Sequence, residues 1–354
     1  MRRNACLLTC LLSVLAWSAS PTAADTKSAK TWDFSGRGRW NEVQQPTSQP
    51  VANVTLDKVE QLLGSNQHGP ALELALQWIK APENRLAPDR DRGLFLLAEA
   101  YYQDDERITA FYHLDELLDY YPESRFFYPA LEKQYLIADE YLKGRKRKLL
   151  GIPIFSVDEE AIDMLFRIQE RSPGSPLAER SLLRSADFYF SKSEWELAAD
   201  AYGAYGRSYP RSPEIGRVRL QRALASFAQF RGSRHDATPL IDARAQFEDV
   251  KTRYPELAQQ ANVQKFIDTI NTTLARKMLG TADFYRRTSK PKAAAYTLLT
   301  LISTYPLLPE ADQARSELKR LPQVAVDQAE AIRVPTAATR PIGPEKPAEL
   351  QPKK

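Results

Sequence analysis

Residues Leu118–Ala130 read LDYYPESRFFYPA, an apolar helical run broken by Tyr-Pro. The same break returns at Tyr209-Pro210 in GRSYPRSPE, at Tyr254-Pro255 in KTRYPELAQ and at Tyr305-Pro306 in ISTYPLLPE. Proline lacks an N–H and its ring drives the preceding residue out of the α region, so a helix stops just before it. One such stop is ordinary. Four with the same lead-in predict a repeating unit.

Reading backwards from each proline gives one spacing: Ala, four on a large residue, three on another, five on the proline. The sets are Ala110, Leu114 and Leu117 before Pro122, then Ala198, Tyr202 and Tyr205 before Pro210. Ala243, Phe247 and Val250 precede Pro255, and Ala294, Leu298 and Leu301 precede Pro306. A fifth set without tyrosine, Ala161, Leu165 and Ile168, ends in Pro173. Positions i, i+4 and i+7 share one helix face, so each set predicts a buried face closed by a helix breaker. Upstream, Ala98/Tyr101, Ala138/Tyr141, Ala186/Tyr189 and Ala282/Tyr285 repeat an Ala-x-x-Tyr pair. The small residue admits a neighbouring helix and the aromatic fills the space beside it. In the fourth unit Leu224 and Phe227 stand in for that pair.

The pattern is the helix–turn–helix signature of tetratricopeptide repeats. It predicts an all-α superhelix of about five helix–turn–helix repeats over residues 55–320. Stretches 55–65 and 69–83 form a degenerate N-terminal helix pair covering the end of the stack. Consecutive prolines lie 51, 37, 45 and 51 residues apart, longer than the plain repeat. The additions are local: 143–159 in the second unit, 231–242 in the fourth, and 257–274 lengthening the first helix of the fifth.

Arg2 and Arg3, the apolar run Ala5–Trp17 and the small residues after it have the plan of a secretory signal peptide. Cleavage after Ala24 is expected, with residues 25–54 as an extended leader. Both cysteines, Cys6 and Cys10, fall inside the signal, so the mature chain is expected to carry neither disulfide nor thiolate metal site. Residues 321–354, rich in Pro, Ala and charge, are expected to form a disordered tail. The formal net charge of +4 owes +3 to residues 319–354, leaving a nearly neutral body that argues against nucleic acid as a partner.

The three histidines, His68, His113 and His235, lack metal-ligand spacing, and no phosphate loop or nucleophile motif is present. The expectation is a binding protein without catalytic residues, metal or cofactor. Helix offsets place Phe95, Tyr102, Tyr135, Leu142, Leu183 and Phe190 towards the concave side, where they would line a groove for an extended apolar peptide. The segment holding Lys143, Arg145, Lys146, Arg147 and Lys148 is a candidate contact with anionic headgroups; the alternative is a solvated helix end followed by a loop.

Residues 242–318, with an Ala-x-x-x-Phe helix ending in Tyr-Pro, a long helix and an Ala-x-x-Tyr helix ending in Tyr-Pro, resemble the BamD (YfiO) outer-membrane assembly lipoprotein family. Residues 90–125 fit that family's opening repeats. The resemblance implies a periplasmic adaptor, peripheral to the outer membrane, serving unfolded β-barrel substrates and a barrel insertase. It also implies that the C-terminal repeats dock the insertase, which singles out Arg276, Arg286 and Arg287 for an acidic partner face. The family carries a lipidated cysteine, whereas Thr9 spoils the lipobox before Cys10 here. That departure keeps a second function open: a periplasmic scaffold for envelope division or peptidoglycan machinery. Oligomeric state has no signal in the residues.

Overall fold

The computed structural model describes residues 31–35, 39–43, 53–149, 152–155, 157–232 and 235–332. The expected signal peptide, residues 1–24, and the tail beyond residue 332 lie outside the described residues. Among those described, the fold is all-α with two small hairpins. The first hairpin pairs β1 (Thr31–Ser35) with β2 (Arg39–Val43), antiparallel. Helices follow as α1 (Val54–Gly64), α2 (His68–Lys80), α3 (Arg90–Gln103), α4 (Arg107–Tyr120) and α5 (Phe127–Leu142). A second antiparallel hairpin, β3 (Arg147–Leu149) and β4 (Ile152–Phe155), precedes α6 (Asp158–Arg171), α7 (Pro176–Ser191) and α8 (Trp195–Ser208). The chain continues as α9 (Ile215–Ala228), α10 (Thr238–Arg253), α11 (Pro255–Gln260), α12 (Val263–Arg287), α13 (Pro291–Thr304), α14 (Pro309–Leu318) and α15 (Gln323–Ile332). No helix of the described residues is long and apolar enough to cross a membrane.

In the second unit helices pair as the spacing predicts, α7 with α8, α9 with α10 and α12 with α13. All fifteen residues of the Ala–large–large sets are at most 2% exposed. Each set ends in the same way. Tyr121, Ser172, Tyr209, Tyr254 and Tyr305 all have φ near −130° and ψ near 60°, and each backbone N–H still donates to the carbonyl four residues back. The proline that follows cannot continue the ladder, so the chain turns.

The other ends of the pairs follow a second rule. After α1, α3, α5, α7 and α12 the chain passes through a left-handed residue: Asn66, Asp105, Gly144, Ser193 and Ser289. The next N–H reaches back five residues, as in Glu106 to Tyr101, Glu194 to Tyr189 and Lys290 to Tyr285. This is a Schellman closure. It satisfies carbonyls that the helix end leaves without partners.

The chain divides into two compact units, residues 1–106 with 115–130, and residues 107–114 with 131–354. In the first unit Leu56, Val59, Ala71, Ala75, Trp78, Leu97 and Ala100 form a core across α1, α2 and α3. A Cβ on Gly93 would stand 2.4 Å from the Trp78 ring, so only glycine permits α2 and α3 to meet there. In the second unit one core joins α9, α10 and α12 around Phe247, which stacks on Phe266 at 5.2 Å. Another joins α7, α8 and α9 around Tyr202 and Tyr205.

Three expectations are corrected. The leader contains the β1–β2 hairpin, whose Trp40 packs 6.2 Å from Tyr128. The segment after α5 forms the β3–β4 hairpin instead of a loop, because Leu149, Ile152, Ile154 and Phe155 suit paired strands. The region expected to be tail from residue 321 contains α15, whose Val326 and Ala329 pack on Ala295 and Leu299 of α13. Their i, i+3 spacing gives a short apolar face, diluted in a proline-rich composition.

Candidate protein-interaction surface

The helix offsets expected to line a groove carry, in the second unit, a ladder of ion pairs between successive first helices. On α5, Tyr135 and Asp139 lie one turn apart, and on α7 Arg180 and Arg184 repeat that step. The Arg180 guanidinium covers the Tyr135 ring at 4.6 Å, and Arg184 Nε donates to Asp139 Oδ1 at 2.5 Å. Burial alone would push the Asp139 carboxyl up, but hydrogen bonds from Arg184 and Lys143 outweigh it and hold the group below the usual carboxylate range. Glu132, one turn before, is pushed up by burial, with Arg180 opposing.

The next rung joins α7 to α9. Arg217 donates to both Asp187 oxygens, at 3.1 and 3.3 Å, and its Nε to Glu214 at 2.8 Å. The Tyr202 hydroxyl, from α8, donates to the same Asp187 at 2.6 Å. Burial first and then the Asp187 charge push this phenol far up, so it stays a donor at any physiological pH. Tyr205 likewise donates to Glu179 at 2.5 Å.

These rungs decide where the expected groove residues stand. Tyr135 and Leu142 are buried, which corrects their placement on an open surface; Arg180 covers the first and Leu142 joins the buried face at the end of α5. Leu183 and Phe190 are half-buried against the Tyr202 core, with Phe190 edge-on to Trp195 at 5.2 Å. In the first unit Phe95 and Tyr102 are half-buried, and Phe95 stacks on Phe126 at 4.9 Å. The six residues belong to two units, and the open apolar surface among them is that of the four half-buried side chains.

The expected partner-binding arginines separate into two kinds. Arg276 donates to Glu310 of α14 at 2.9 Å, and Glu310 is buried, so this pair ties α12 to α14. Arg286 and Arg287 share the half-buried Asp283, at 2.6 and 2.9 Å, and keep more than half of their own side chains in solvent. Hydrogen bonds from Arg286, with both guanidinium charges, hold the Asp283 carboxyl low. Two cations on one anion leave a net positive surface at the end of α12.

Of the basic segment, Lys143, Arg145 and Lys146 are exposed. Lys143 pairs with Asp139 at 2.6 Å and Arg145 with Glu140 at 2.7 Å. Arg147 and Lys148 open β3, in register with Phe155 and Pro153, and their side chains lie outside the described part.

One surface was missed by sequence reasoning. Tyr285, Tyr296, Pro322, Val324 and Ile332 line a groove of about 920 Å³ formed by the end of α12, the start of α13 and α15. The signal is the exposed half of the same short helix pattern that buries Val326 and Ala329, masked by the proline-rich composition beyond residue 320. Among the described residues no cluster of His, Cys, Asp or Glu is arranged to hold a metal ion.

The model of the family described as YfiO, outer membrane lipoprotein, matches residues 157–324, which run from the start of α6 to the start of α15. Three relatives are each named outer membrane protein assembly factor BamD. The protein of Rickettsia prowazekii is 24% identical over 147 residues, 42% of this chain and 59% of the relative. That of Caulobacter vibrioides is 24% identical over 135 residues, 38% and 44% of the two chains. That of Vibrio cholerae is 27% identical over 169 residues, 45% and 69%. The matches with the first two span less than two thirds of those relatives' lengths. With four of its five Ala–large–large faces and its long α12 inside the matched stretch, this chain is similar, through residues 157–324, to the YfiO family of outer membrane lipoproteins.

Proposed function

We propose that this chain is a periplasm-facing adaptor, peripheral to the outer membrane, that helps β-barrel proteins assemble. The observation that carries the reading is the family match at residues 157–324 on a stack of helix pairs built for protein contact. Such stacks bind along exposed helix faces, and the likeness to a family of outer membrane lipoproteins supports reading the chain as a binding protein.

In this reading the two units divide the work. Phe95 and Tyr102 of the first unit meet apolar side chains of unfolded barrel substrates. Arg286 and Arg287 meet an acidic face on a barrel insertase; their exposed pairs with Asp283 are weak enough to exchange. The basic segment 143–148 makes the peripheral contact with anionic headgroups. The test is capture of partners by the tagged chain from detergent-solubilised envelopes. A barrel insertase with periplasmic domains should be recovered specifically; recovery of division or peptidoglycan proteins without it would replace this reading by a scaffold of that machinery.

A further inference from the structure

The groove at the end of the second unit has walls that the fold leaves apolar and open. Tyr296 is 45% exposed, Val324 67% and Ile332 50%, although α15 buries Val326 and Ala329 on its inner side. The chain leaves the last wall residue, Ile332, and continues directly as Arg333 and then VPTAATRPIGP, residues 334–344. This stretch has prolines at 335, 341 and 344, apolar Val334 and Ile342, and one charge, Arg340.

We propose that the groove is the docking site of the chain's own segment Val334–Pro344. Proline-rich segments favour the extended polyproline II form, which loses little entropy on docking and fits grooves lined by aromatic rings. Tyr285 and Tyr296 supply the rings, with Pro322 and Val324 beside them. The lengths agree. The ten-residue α15 is about 15 Å long, and roughly five residues of polyproline II cover that distance. Eleven residues suffice to turn back after Ile332 and run the length of the helix. The covalent link supplies a local concentration in the millimolar range, so contacts too weak for a separate peptide hold this one.

The test uses the full chain and elastase, which cuts after small residues, at Ala337–Ala338. Cleavage follows the undocked population. Tyr296→Ser with Val324→Ser should therefore speed this cut by about fivefold or more, as should Pro341→Ser with Ile342→Ser, which leaves the groove untouched. Both groove positions are exposed, and an unchanged circular-dichroism melt confirms that the fold persists. Equal cleavage rates in the parent and both variants would overturn the proposal. Protection that grows with protein concentration would overturn it too, by assigning the groove to a second copy.

Discussion

Ser193 sits at φ 61° and Ser289 at φ 56°, where a Cβ crowds the following carbonyl. Gly144 ends α5 in the same left-handed region without that cost. Ser193→Gly and Ser289→Gly should each stabilise the fold by up to about 1 kcal/mol, measured as a higher urea midpoint with unchanged slope. The closures at these residues were not legible, because Asn66, Asp105, Gly144, Ser193 and Ser289 share no letter pattern; they share only tolerance of positive φ. The Tyr-Pro stops were legible because proline acts through covalent geometry that no context overrides. The alanines of the repeated sets were legible for a related reason: Ala198 and Ala294 sit where helices touch, at 0% and 1% exposure. Ala198→Trp or Ala294→Trp should overpack those contacts and cost about 1–3 kcal/mol or more. A thermal melt unchanged by both would count against the register.

At the scale of helices, the rungs between α5, α7 and α9 explain why a groove expected to be apolar is largely occupied. The offsets were legible, and the side chains at Tyr135, Asp139, Arg180 and Asp187 do face neighbouring first helices. What a single unit cannot disclose is the partner one repeat on, since Arg184 lies 45 residues from Asp139. The rung makes a pH prediction. Asp139 is held below its unfolded pKa, so the stability it contributes is present above the unfolded value and lost as pH falls through the folded one. The urea midpoint should therefore decline below about pH 4. Arg184→Ala should lower stability at neutral pH by about 1–3 kcal/mol and flatten part of that decline. A decline equally steep in the variant would assign acid sensitivity to other carboxylates, Asp249 among them, which Arg253 and Arg219 hold low against burial.

Across the whole molecule, stacked repeats make stability local, because each helix pair rests mainly on its neighbours. That locality is what allowed most of the fold to be read from repeated spacings, and it hid α15 and the two hairpins, which occur once each. It also lets damage be confined to one unit. Gly93→Val would drive a side chain into the Trp78 ring and the Ile79 side chain, separating α2 from α3 at a cost of about 1–3 kcal/mol. Arg286→Glu with Arg287→Glu reverses the charge of an exposed surface at the far end of α12 and leaves the buried faces alone. If the units carry separate surfaces, the glycine variant should lose binding of a barrel protein's C-terminal peptide while still capturing the insertase. The arginine pair should do the reverse. Fluorescence anisotropy with the peptide and pull-down of the insertase on the same preparations read the two outcomes, and loss of both activities in both folded variants would mean one continuous site in place of two.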